Sequence, residues 1–105
     1  MKRLFPEFRV HLEKVPPGEK AIQVPYPDNL GKRTKLGGEP DWIQDDETPV
    51  CPLCGQEMSL VAQIDSIDYT DYRSNGPYLF GDVGMLYVFY CLDCGRNPQV
   101  IQQDY

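Results

Sequence analysis

The four cysteines of this 105-residue chain fall into two copies of one pattern, CPLCG at residues 51–55 and CLDCG at residues 91–95. Two residues between cysteines let one tight turn aim both sulfurs at a single point. The glycine that follows can take a positive φ, which turns backbone amides toward those sulfurs. Cys51, Cys54, Cys91 and Cys94 together offer four thiolates, a complete tetrahedral shell for one Zn²⁺ ion. A saturated shell leaves no position for water or substrate, so the chemistry expected is structural and not catalytic. Iron held as in a rubredoxin satisfies the same pattern and stays open as the alternative metal. Two disulfides would need an oxidising compartment, and a thioredoxin-type redox pair would need a βαβ context that the residues do not suggest. No histidine or other base stands next to a cysteine or serine in the sequence, so an enzyme is not expected.

The elements that must position these cysteines are strands. Residues 57–68, EMSLVAQIDSID, alternate with Met58, Leu60, Ala62 and Ile64 on one face. Residues 84–91, GMLYVFYC, are almost wholly apolar and rich in aromatic and β-branched types, which predicts a central strand buried on both faces. One strand leaves the metal site at Cys54, and the other reaches it at Cys91 after 36 intervening residues. If they pair, they pair antiparallel, as the hairpin of a zinc ribbon. Residues 96–105 are expected to add a short closing strand around Val100 and Ile101. Upstream, Phe8, Val10 and Leu12 alternate with Arg9, His11 and Glu13, predicting a strand over residues 8–15, with His11 on the surface. A turn over 15–20, a short strand over 20–24 and an irregular, solvated connection over 25–33 complete that part. The fold class expected is all-β, a small antiparallel sheet with a zinc-ribbon-like metal site of four cysteines. It forms one domain over residues 1–105, with N-terminal strands and a loop in 1–33 and a metal-binding core in 34–105.

Charge is distributed unevenly. Residues 1–35 hold eight Lys/Arg against four Asp/Glu, a net of +4, whereas residues 36–105 hold two against twelve, a net of −10. Phosphate backbones repel such a surface, so a ribbon that grips DNA or RNA is not expected. A basic protein partner suits it. No apolar run approaches the roughly 20 residues that cross a bilayer, and MKRLFPEF lacks the apolar stretch of a secretory signal, so a cytoplasmic protein is expected. Residues 68–84 gather Tyr69, Tyr72 and Tyr78 with Phe80 and three aspartates around an Asn75-Gly76-Pro77 turn. Loops carried on a rigid scaffold tend to bear function, so the three tyrosines are candidate partner contacts. Trp42, among acidic neighbours, is a fourth candidate, with a core-capping role as its other reading.

The ordered set TKLGGEPDWIQ, CPLCG, LVAQID and GDVGMLYVFYC, spanning about residues 34–94, resembles the bacterial YwqG-like domain family. More distantly it resembles the eukaryotic programmed cell death protein 2 family, in which a Gly-Gly-x-Pro-x-Trp segment precedes paired cysteines and a Leu-Tyr-Val-Phe-x-Cys strand. The resemblance implies an all-β fold and, for the eukaryotic relatives, a chaperone-like role toward a basic ribosomal protein. It places Cys51, Cys54, Cys91 and Cys94 at metal-site positions, and Gly37, Gly38, Pro40 and Trp42 in the Gly-Gly-x-Pro-x-Trp motif.

Overall fold

A computed structural model describes residues 2–67 and 78–105. Its secondary structure among those residues is all β: β1 (Lys35–Leu36), β2 (Ser59–Asp65), β3 (Gly84–Cys91) and β4 (Arg96–Asp104). They form a single antiparallel sheet in the order β1-β2-β3-β4, so each strand lies beside its neighbour in sequence. The expected fold class is the one observed.

The central strand alternates more cleanly than its composition predicts. Met85, Tyr87, Phe89 and Cys91 are buried on one face, whereas Leu86, Val88 and Tyr90 on the other are half-buried. One face is therefore the core, which corrects the expectation of burial on both sides. β2 departs from simple alternation. Leu60 lies opposite Phe89, but Ala62 lies opposite Val88, so Val61 is an extra residue, a β-bulge. The bulge moves the buried set from Leu60 to Gln63 and Asp65 and sends Ala62 and Ile64 to the outer face with Val88 and Leu86. The expected stripe of Met58, Leu60, Ala62 and Ile64 is thus split in two. Gly37 N–H bonds the carbonyl of bulged Val61 at 2.8 Å, which anchors the start of the Gly-Gly segment just beyond β1.

Residues 41–47 run across the core face as a strap, and buried amides fasten them. Gln63 of β2 accepts from Asp41 N (3.0 Å) and donates to Arg33 O (2.7 Å) and the Asp41 carboxylate (2.8 Å). Gln103 of β4 accepts from Ile43 N and Gln44 N at 3.0 and 2.9 Å and donates to Asp45 O and the Glu47 carboxylate. Between them the Tyr87 hydroxyl donates to Asp41 O at 2.7 Å, and burial holds that phenol above its usual range. So fixed, Trp42 lies on Tyr87 and Phe89, with ring centroids 4.5 and 5.8 Å away. Each glutamine thus pairs its amide oxygen with backbone N–H and its amide nitrogen with one carbonyl and one carboxylate, so neither buried side chain is left unsatisfied.

Opposite the cysteine end, the sheet is closed by a buried ion pair. Arg33 and Asp65 are 2 % and 0 % exposed. The guanidinium donates Nε to Oδ2 at 2.9 Å and Nη2 to Oδ1 at 3.2 Å, while Nη1 reaches the Tyr105 hydroxyl at 2.9 Å. The backbone amides of Gly31 and Ile67 complete the carboxylate at 2.7 and 3.0 Å. Burial disfavours the Arg33 cation, but the bond to Asp65 and its charge outweigh that and raise its pKa. Residues 25–33 are therefore not a solvated loop throughout, because the end of that stretch enters the core.

The strands expected over 8–15 and 20–24 do not form: among the described residues no strand precedes Lys35. Alternation alone gives a strand its pattern, but a ladder needs a paired edge, and residues 8–15 pair with none of β1–β4. Leu4, Val10 and Leu12 remain exposed. β4, in contrast, is nine residues long, well beyond the short closing strand expected, because the second cysteine turn feeds it directly alongside β3.

Gly84 marks the tightest point of the sheet. A Cβ there would stand 2.2 Å from Asp104 Oδ1 and 2.4 Å from Gln103 O. Gly84→Ala is expected to force β3 and β4 apart and cost about 1–3 kcal/mol, seen as a lower urea midpoint at unchanged m. A midpoint equal to the parent's would show that this end of the sheet can open freely.

Candidate metal centre

Each cysteine pair sits on its own small hairpin. In the first, an isolated bridge between Val50 and Glu57 closes the stem, with Cys51 N bonded to Gln56 O at 2.8 Å. In the second, Cys91 pairs with Arg96 at the junction of β3 and β4. Both turns carry the same bond from the glycine amide to the first cysteine's carbonyl: Gly55 N to Cys51 O at 2.9 Å and Gly95 N to Cys91 O at 2.8 Å. Both glycines have positive φ, 75° and 66°, which is the reason for Gly in each pattern.

The two turns meet. Each cysteine offers one sulfur, and all four sulfurs lie within 4.8 Å of one another. Cys51 to Cys94 is 3.9 Å, Cys54 to Cys91 is 3.6 Å, and no disulfide joins any of them. A tetrahedral Zn–S shell with bonds of about 2.3 Å has S···S edges of ~3.8 Å, so the donor set fits a single ion of that class. Cys51 and Cys91 are buried and belong to the same apolar cluster as Met58, Leu60 and Phe89, whereas Cys54 is exposed and Cys94 intermediate. The centre is thus one end of the core, open to solvent on one side.

The surroundings favour thiolate at Cys51. The Cys54 and Leu53 amides point at the Cys51 sulfur and bring its thiol down to about 6. The Asn97 side-chain amide lies 4.0 Å from the same sulfur, and the Cys94 amide donates to Cys91 Sγ at 3.4 Å. Hydrogen bonds that the Cys94 thiol donates toward the Cys91 and Cys54 sulfurs hold its proton and push Cys94 up to about 12. Four sulfurs this close cannot all ionise without a cation among them, which is what such a cluster is suited to hold. Asn97, with φ 64°, is a neighbour that sequence reasoning passed over; the signal was an Asn two residues after a Cys-x-x-Cys-Gly turn.

The remaining candidates are dispersed. Trp42 packs on the sheet, its core-capping reading. Tyr78 is half-buried, while Tyr69 and Tyr72 lie outside the described residues, as does the turn at 75–77. His11 is exposed in the N-terminal segment. Among the described residues no helix is long and apolar enough to cross a membrane.

No family model matches the chain, and no solved structure matches it. Among curated proteins it is similar to one described as "Uncharacterized protein YpfL" of Salmonella typhimurium, with 36 % identity over 72 residues. That segment is 67 % of this chain but 15 % of the relative, so the chain spans a small part of that protein's length.

Proposed function

We propose that Cys51, Cys54, Cys91 and Cys94 hold one structural zinc ion, and that the domain so stapled is a non-enzymatic, cytoplasmic protein-binding module for a basic partner. The observation that carries the metal part is the convergence of four sulfurs within 4.8 Å from two matching hairpins. Zinc bound there supplies cross-linking and no open coordination position. All four thiols are committed to that shell, which leaves none of them as a nucleophile. Kinship with YwqG-like domains and, distantly, with the programmed cell death protein 2 family belongs to the same proposal. Gly37 bonds Val61 of β2, and Trp42 at the far end of the same segment lies on Tyr87 and Phe89 of β3, which suits the idea that the Gly-Gly-x-Pro-x-Trp motif and the cysteine turns form one unit.

For the partner, support comes from the −10 charge of residues 36–105 together with the tyrosines of residues 68–84. Charge steers association and sets specificity, and aromatic anchors supply short-range contacts. Tyr69, Tyr72 and Tyr78 are the proposed anchors, with Trp42, packed on Tyr87, as a further one.

Elemental analysis of protein purified without added metal tests the first part, with one zinc per chain expected. Stoichiometric iron with visible colour would replace this reading with an electron carrier, and two disulfides without metal would end both. The triple variant Tyr69→Ala/Tyr72→Ala/Tyr78→Ala tests the second. It should retain its metal and bind a basic partner at least tenfold more weakly, by about 1.4 kcal/mol or more. Parent-like binding by that variant would remove the aromatic surface from the proposal.

A further inference from the structure

Three features left unused by the metal centre are complementary. The first is the N-terminal segment. Residues 7–15 form a proline-free run in which Phe8, Val10 and Leu12 alternate with polar residues, the pattern of a strand. Yet among the described residues they join no ladder, and Val10 and Leu12 are 68 % and 75 % exposed. The second is the outer edge of β4. Among the described residues its backbone makes no backbone–backbone hydrogen bond outside the β3 ladder, only the Asp104 carbonyl being taken by a side chain, and beyond Pro98 residues 99–104 contain no proline to blunt it. Val100 on that strand faces outward beside Val88 and is 59 % exposed. Long open edges with exposed apolar residues are uncommon in proteins that remain unpaired.

The third feature is charge. Gln103 and Gln44 hold the acidic strap at the C-terminal end of β4: Gln103 Nε2 bonds Asp45 O and Glu47, and Gln44 Nε2 bonds Asp104 O. Arg96 marks the other end of the strand. The N-terminal segment has Lys2 and Arg3 at its start, while Glu13 and Lys14 cancel near its end. An antiparallel match sets Lys2 and Arg3 against Asp45, Asp46 and Asp104. A parallel match sets them against Arg96 instead.

From these we infer that the N-terminal segment of one copy of this chain adds as a fifth, antiparallel strand to the β4 edge of a second copy, and that two copies exchange these arms reciprocally. Strand addition supplies main-chain hydrogen bonds along the edge. Phe8, Val10 and Leu12 extend the outer face that carries Val100, Val88 and Leu86. Twofold exchange uses the same pair of surfaces twice and closes the assembly. The arrangement does not rest on the proposed basic partner or on the identity of the metal.

Sedimentation velocity on the full chain tests it. A dimer is expected, with a dissociation constant that rises about tenfold as salt goes from about 0.05 to 0.5 M, because the end contacts are exposed charges. Val10→Pro, which removes a ladder donor from an exposed segment, should weaken the dimer at least tenfold at unchanged melting temperature. Two charge-reversed proteins make the sharper test. Lys2→Glu/Arg3→Glu and Asp45→Lys/Asp46→Lys should each be monomeric alone, yet form a one-to-one heterodimer when mixed, since each arm then meets an edge of opposite sign. A single 12.0 kDa species from the parent at all concentrations would overturn the inference. So would a dimer indifferent to Val10→Pro, or reversed proteins that stay monomeric on mixing. Metal content and affinity for a basic protein should be the same in monomer and dimer, so failure here leaves the proposed function untouched.

Discussion

Cys54→Ser and Cys91→Ser are each expected to yield a chain that is largely unfolded and aggregation-prone at room temperature. A structural zinc contributes on the order of 10 kcal/mol of apparent binding energy, and a whole domain is stable by only about 5–15 kcal/mol. The geometry explains why the loss cannot remain local. Cys51 and Cys91 are members of the apolar cluster, so loosening the sulfurs opens the core beside Met58, Leu60 and Phe89. The two hairpins also come from segments 36 residues apart, and little else in the described structure joins them at that end. Thermal melts followed by circular dichroism check this, with chelator-treated parent as the second arm. The treated parent and Cys54→Ser should both lose the cooperative transition. A Cys54→Ser melt that overlays the untreated parent would make the centre peripheral to stability.

Asp65→Ala is expected to be the most damaging change away from the metal, at about 3–5 kcal/mol, because it leaves the guanidinium of Arg33 buried without its counter-charge. The same substitution also orphans the Gly31 and Ile67 amides, which now bond that carboxylate. An apolar double replacement, Arg33→Met/Asp65→Leu, removes the stranded cation but not the stranded amides. It should therefore recover part of the loss and not all of it, with a clear coupling in a double-mutant cycle from urea midpoints. Additive losses would mean that the two residues are stabilised separately, against the bidentate contact at 2.9 and 3.2 Å.

The parts that were legible in the sequence share a cause: they depend on residues near one another along the chain. Each cysteine turn is a five-residue pattern whose glycine reports its backbone, and the antiparallel relation of β2 and β3 follows once both are attached to one centre. Gln63, Gln103, Arg33 and Asp65 were not legible, because each is polar and its burial depends on partners tens of residues away, as Gln103 does on Ile43 and Gln44. Sequence patterning sorts residues by polarity, so it puts a buried glutamine on the wrong face by construction. The N-terminal strands failed for the complementary reason. Their pattern is right for a sheet, but within one copy of the chain they pair with no strand.

The bulge at Val61 is the one place in β2 where the chain can change length without turning its core. A single-residue deletion there would leave a regular ladder, with Ala62 still opposite Val88, Gln63 opposite Tyr87 and Asp65 opposite Met85. Gln63 would keep its hold on the strap and Asp65 its hold on Arg33. What goes is the Val61 carbonyl that holds Gly37 N–H, so the cost falls on the start of the Gly-Gly segment. A residue added or removed beyond the bulge has no such slack and would turn the side chains that follow it to the opposite face. Length variation among natural relatives should therefore, within β2, be confined to the bulge.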